Sequence, residues 1–263
     1  KFQFKATENT RLVVSLLKSE KKGNFSPEII LAQNELELTL GEQYLIVDLQ
    51  VNIDKTEYYF VAFSANEKVS IRSSQTRATG LLSVFQKFNK AVATSSRQDP
   101  PKGIGIEEFD FWLPERRPEG HNLAFEFTQA IDPYSINFLT NGIFRPTVGT
   151  NAWAAALDDT EPTIEMVWDK VQIINSLSVY FDTDFDHALE STLMGHPESE
   201  IPFCVKDIQL TDGSGKVLAE IQDNHQTVVT IKFKTPVQTD KLLLTFKQQN
   251  AHVPVALFGI VCL

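Results

Sequence analysis

The sequence predicts an all-β protein: two tandem antiparallel β-sandwich domains of the jelly-roll kind, residues 1–138 and 139–263. Three observations carry this expectation. Apolar and polar residues alternate at period two in run after run. Phenylalanine, at 19 residues against 2 methionines in a chain of 263, dominates the aromatic content and suits pleated strands. Turn-forming residues separate the runs at short, regular spacing.

In the first half the runs are RLVVSLL (11–17), ELELTL (35–40), QYLIVDLQV (43–51), YYFVAFS (58–64) and KVSIRSS (68–74), followed by EEFDFWLP (107–114) and NLAFEFT (122–128). Leu36, Leu38 and Leu40 face one way while Glu35, Glu37 and Thr39 face the other, the pattern of a half-buried antiparallel strand. KKGNFSPE, LGEQ and SANEK supply the turns. The stretch RATGLLSVFQKFNKAVATSSRQDPPKG departs from this pattern. Leu81, Leu82, Phe85 and Phe88 fit a helical stripe and predict a short helix before a polar, proline-bearing loop. Polar residues and a proline place the boundary between the halves in 132–142.

The second half continues with TIEMVWD (163–169), IINSLSVYFDTDF (173–185), FCVKDIQLTD (203–212), VLAEIQD (217–223), TVVTIKFK (227–234), DKLLLTFKQ (240–248) and VALFGIVCL (255–263). Leu177, Val179 and Phe181 alternate with Ser178 and Tyr180; Val229, Ile231 and Phe233 alternate with Thr230 and Lys232. TDGSGK reads as a tight hairpin turn. With 42% hydrophobic residues, and at about 25 cal/mol per Å2 of apolar area buried, domains of this size need no metal or disulfide to fold.

Charge narrows the function. A formal net charge of −10 argues against nucleic acid, which needs a basic face, and against anionic membrane surfaces. No apolar run approaches the length that spans a bilayer. The chain opens KFQFKATENT, without an initiating methionine or a visible signal peptide, as a piece of a longer or processed chain would. The two cysteines, Cys204 and Cys262, lie in apolar strand-like runs and are expected to be buried free thiols; a disulfide requires those strands to be neighbours.

Nucleotide and nucleophile motifs fail on context. Gly103-x-Gly105 follows two prolines, has Glu108 where a third glycine belongs and precedes a strand, so it reads as a loop. No G-x-S-x-G elbow is present.

The polar stretch FDTDFDHALESTLMGHPE (181–198) is the main functional candidate. In an extended chain Asp182, Asp184 and Asp186 point to one side and repel unless a cation or hydrogen-bond donors intervene. Calcium favours such oxygen ligands, but an EF-hand loop needs glycine where His187 stands and glutamate where Leu193 stands. His187 and His196 could serve a transition metal, although their spacing is not that of a zinc helix. A glycosidase-type carboxylate pair is the enzymatic alternative. The favoured reading is structural, with no metal: the aspartates accept backbone N–H bonds in a loop, leaving ligand or interdomain contact as the further role. Trp153 (in GTNAWAAA) and Trp112 could stack on a sugar, with core packing as the better expectation for both; His225, in DNHQT, reads as a turn histidine. Trp153, Asp182, Asp184, Asp186, His187, His196 and His225 form the candidate ligand-binding set, and no residue is expected to be catalytic.

The motifs NGIFRP, NAWAA, PTIEMVWDKVQIINSLSVYFD, CVKDIQLTDGSGKVLAEI, VVTIKFKTPVQTDKLLLTF and VPVALFGIVC together resemble a galactose-binding-like, discoidin-type jelly roll over residues 141–263. FDTDFDHALESTLMGHPE, PFCVKD, DNHQT and VPVALFGIVC also resemble the C-terminal region of bacterial FAD-dependent oxidoreductases of the pyridine nucleotide-disulfide type. That resemblance implies non-catalytic modules that pack on a flavin domain or bind substrate, with FAD held by the parent protein and no cofactor in this chain. The terminus does not reveal localisation, with a periplasmic or secreted setting slightly favoured. The alternative is a free-standing carbohydrate-binding protein with a glycan as partner.

Overall fold

The structure, a computed structural model, describes residues 1–21, 27–81, 84–85, 97–98, 109–110, 115–116, 122–129, 131–183 and 203–263. The protein is all-β, with antiparallel sheets throughout the described residues, as the alternation predicts.

In the first half β1 (Phe2–Ala6), β2 (Thr10–Lys18), β3 (Ile29–Leu38), β4 (Gly41–Leu45), β5 (Tyr59–Phe63), β6 (Val69–Ile71) and β7 (Ser73–Ser74) follow in order. The first six build two three-stranded sheets, ordered β4-β1-β6 and β3-β2-β5. Phe4, Ala6, Leu12, Val14, Leu36 and Leu38 are buried together as their core. Phe2 meets Phe63 edge-on at 5.1 Å, a favourable aromatic geometry.

Two expectations change here. The run 43–51 keeps its alternation of burial but pairs only through Leu45. Its partner β1 runs out at Phe2, opposite Leu45, and Gln50 takes a left-handed φ of 48° that no strand continues through. The expected helix around 81–88 is not helical where it is described. Leu81 lies in irregular chain and Phe85 in a two-residue strand, β8 (Val84–Phe85), paired with β11 (Glu115–Arg116). Non-local pairing overrides the local apolar spacing there, while Leu82 and Phe88 lie outside the described residues. β9 (Arg97–Gln98) pairs with β10 (Phe109–Asp110), and β12 (Asn122–Leu123) with β7.

The second half holds a 3-10 helix (Ile136–Thr140), β13 (Trp153–Ala154), β14 (Thr163–Phe181), β15 (Ile208–Asp212), β16 (Val217–Ile221), β17 (Val228–Phe246) and β18 (Ala256–Cys262). Its sheet runs β13-β18-β14-β17-β15-β16. Four expected strands have fused into two: 163–169 with 173–185 as β14, and 227–234 with 240–248 as β17, each 19 residues long. Pairing between them shifts register at Val167/Gln172 and at Ile174/Ser176. Pro236 falls in the second shift, between the paired Lys232 and Val237, where its missing N–H breaks no ladder bond.

Ile164, Leu242 and Leu244 on one side of the shifts share a single core with Leu177, Val179 and Phe181 on the other. The sheet is therefore folded over on itself, with the bulges as its corner. Gly259 permits a close contact on the outer face. A Cβ built there would meet the Phe144 ring at 2.6 Å, and that ring stacks on Tyr180 at 3.8 Å and 8°. TDGSGK forms the predicted hairpin turn. The Asp212 carboxylate accepts from the Ser214 hydroxyl (2.6 Å), Ser214 N–H (2.9 Å) and Lys216 N–H (3.1 Å), and its pKa is lowered chiefly by the Ser214 side chain.

Candidate functional site

Away from the corner, the loops of the folded sheet are stitched to one another by backbone hydrogen bonds. Phe181 N–H donates to Thr227 O (2.9 Å), Asn224 N–H to Lys206 O (3.0 Å), Lys247 N–H to Asp207 O (3.1 Å), and Gln248 N–H to Thr160 O (2.9 Å). The Gln248 amide also donates to Leu157 O and Val253 O. These bonds satisfy groups that the strand ladders leave open, and they fix the end of the sandwich as one surface.

Asn224 is the buried post of this surface, at 5% exposure. Its Nδ2 donates to Val205 O (2.9 Å) and Gln226 O (3.3 Å), while its Oδ1 accepts from Gln226 N–H (2.9 Å). Asp223 takes a left-handed φ of 54°, a conformation that Asx residues tolerate, and its N–H donates to Asp207 Oδ1 at 3.3 Å. The turn leaves Asp223 and His225 exposed, with His225 Nε2 3.0 Å from Asp223 Oδ1. The sequence singles out His225; the structure adds Asp223, Asn224 and Asp207. The Asp-Asn pair in DNHQT is the turn signal that could have found the post.

Asp182 sits just past the end of β14 and is 2% exposed. The Thr79 hydroxyl, itself buried, donates to its Oδ2. Asp182 is therefore bonded by a side chain from the other half of the chain. Asp184, Asp186, His187 and His196 lie outside the described residues, as do Trp112, Gly103 and Gly105. Among the described residues no three His, Cys, Asp or Glu side chains are grouped to hold a metal.

Trp153 is not on a loop. It pairs with Leu257, which pairs with Phe181 on its other side, so the three share one rung across β13, β18 and β14. Phe181 and Leu257 are fully buried, and Trp153 packs half-buried against the same core, as the core-packing expectation has it.

Cys204 and Cys262 are free. The Cys204 thiol lies 3.6 Å from Asn224 O, and its pKa is pushed up to about 11, by burial first and then by the Asp182 charge. Burial also raises the pKa of Cys262. A thiol whose folded pKa exceeds its unfolded value favours the folded state while it is neutral. That contribution is complete below about pH 9 and is lost as pH rises to about 11. The thermal midpoint is expected to fall over this window, and Cys204→Ala to remove part of the fall; parallel pH profiles of the two proteins check it.

No family model matches the chain, and no curated protein does. Among solved structures it is similar to the family 32 carbohydrate-binding module of Streptococcus pneumoniae EndoD, at 14% identity and TM-score 0.38, covering 52% of this chain and 90% of that one. The family 32 module of C. perfringens NanJ, solved with galactose, matches at 13% identity and TM-score 0.35, covering 51% and 88%. A Streptococcus pneumoniae fucose-binding module matches at 14% identity and TM-score 0.37, covering 52% and 89%.

Proposed function

We propose that the chain is a non-catalytic binding module whose second sandwich, of galactose-binding-like type, takes a neutral glycan at its loop end. The Asp223–His225 pair carries this reading. A carboxylate acceptor and an imidazole 3.0 Å apart match the spacing of adjacent sugar hydroxyls, which both donate and accept. The buried Asn224 post presents the pair on fixed backbone, which lowers the ordering cost of binding a flexible, hydrated ligand. The acidic surface is compatible with an uncharged sugar and opposes polyanions.

A glycan array with the full chain tests it. Saturable binding to a neutral glycan is expected, with His225→Ala and Asp223→Ala each weakening it about tenfold, roughly the loss of one well-placed polar contact. An array with no binder, or a binder indifferent to both substitutions, overturns the reading. Attachment to a flavin domain of an FAD-dependent oxidoreductase is the second proposal; its support is the motif cadence of residues 181–263. Flavin absorbance in the purified chain would overturn the part that leaves this chain without cofactor.

A further inference from the structure

The loop end of the second sandwich is not built from the second half alone. The turn following β7 reaches it at three points, through His252, Asp182 and Thr150, and is itself held by Tyr134. Arg77 N–H donates to His252 O at 2.9 Å. The Thr79 hydroxyl donates to Asp182, with both side chains at or below 3% exposure. The Tyr134 hydroxyl donates to Thr79 O at 2.8 Å. Gly80, at φ +74°, lies so close to Thr150 that an added Cβ would stand 2.9 Å from its Cγ2. A buried carboxylate needs such a donor, because leaving it without one costs the full desolvation of the charge.

From Asp182 the contacts continue towards the exposed pair. Thr183, the next residue, lies hydroxyl to hydroxyl with Thr227 at 3.4 Å, and Phe181 N–H bonds Thr227 O. The Asp182 charge is felt at Cys204, whose sulfur touches Asn224. Asn224 in turn sets the backbone of His225 through Gln226.

We propose that the Arg77–Gly80 turn is a strap by which the first half positions the ligand end of the second. Thr79 holds Asp182, the residues on either side of Asp182 bond Thr227 at the end of the 222–227 loop, and Thr79 is accordingly a positioning residue. The ligand end is composite: the second half requires the first to present the Asp223–His225 pair in its bound-ready geometry. The inference rests on the reading of that end as the ligand site, but its test does not.

Hydrogen exchange of the full chain is measured for wild type, Thr79→Val, Thr79→Ser and Tyr134→Phe, without ligand. Thr79→Val is expected to speed exchange of amides in 205–206 and 224–227 by about tenfold or more while β1 and β2 stay protected; Thr79→Ser is expected to restore wild-type rates. If Thr79→Val unfolds the chain, Tyr134→Phe, which loosens the turn from outside the buried pair, is expected to give a smaller acceleration in the same segments. Unchanged exchange at 224–227 in every folded variant, or acceleration in Thr79→Ser equal to that in Thr79→Val, overturns the strap. A strap that survives while the array finds no glycan leaves only the functional reading in error.

Discussion

Phe181→Ala is expected to destabilise the chain by about 3–5 kcal/mol, the range for removing a fully buried phenylalanine. Phe181 is 0% exposed; on the rung Leu257 is held by strand pairing on both sides and Trp153 by its pairing with Leu257. They cannot collapse into the space, so the cavity persists and the cost falls in the upper part of the range. Phe181→Leu keeps most of the volume and is expected to cost under about 1.5 kcal/mol. Urea unfolding of the three proteins at unchanged slope would measure both differences. A loss below about 1 kcal/mol for the alanine variant would mean that the end of β14 is not part of the core.

The second large effect is expected at Asn224. Asn224→Ala removes the amide donations to Val205 O, Gln226 O and the Cys204 sulfur and the acceptance from Gln226 N–H, leaving Val205 O and Gln226 N–H without these partners inside the protein. Buried backbone groups left unsatisfied cost about 1–3 kcal/mol each, and partial relaxation towards solvent brings the expected total to about 2–4 kcal/mol. The same change opens the surroundings of Cys204, whose sulfur contacts Asn224. Alkylation of Cys204 by iodoacetamide should therefore accelerate sharply in folded Asn224→Ala, while Asn224→Asp, which keeps the acceptor to Gln226 N–H, should show a smaller increase. Mass spectrometry of the peptide containing Cys204 resolves the two.

These effects concentrate where sequence patterning was most and least informative. The alternation in 177–181 and 229–233 marks strands that the structure confirms, because one face of each is buried and period two follows from that alone. The gap at 170–172 between the expected strands 163–169 and 173–185 reads in the sequence as a break. In three dimensions it is the corner where β14 passes from one layer to the other, since a polar pair can face solvent while the chain stays extended. Trp153 could not be placed by its neighbours in sequence, because its setting is created by β18, a hundred residues on. Asp182 is the sharpest case. Its local sequence suggested a carboxylate cluster, and one observed partner is Thr79, 103 residues away. Local pattern records which face is apolar; it does not record which distant donor closes a buried charge.

The two 19-residue strands have a consequence for assembly. Each contributes one end to either layer, so a nick in the Asp212–Lys216 turn would produce two fragments, neither holding a complete layer. Residues 139–212 and the fragment beginning at the nick could rebuild the second-half core only together, because each carries one of the two long strands. A protease cut at that exposed turn would then be harmless while the halves stay associated and irreversible once they part.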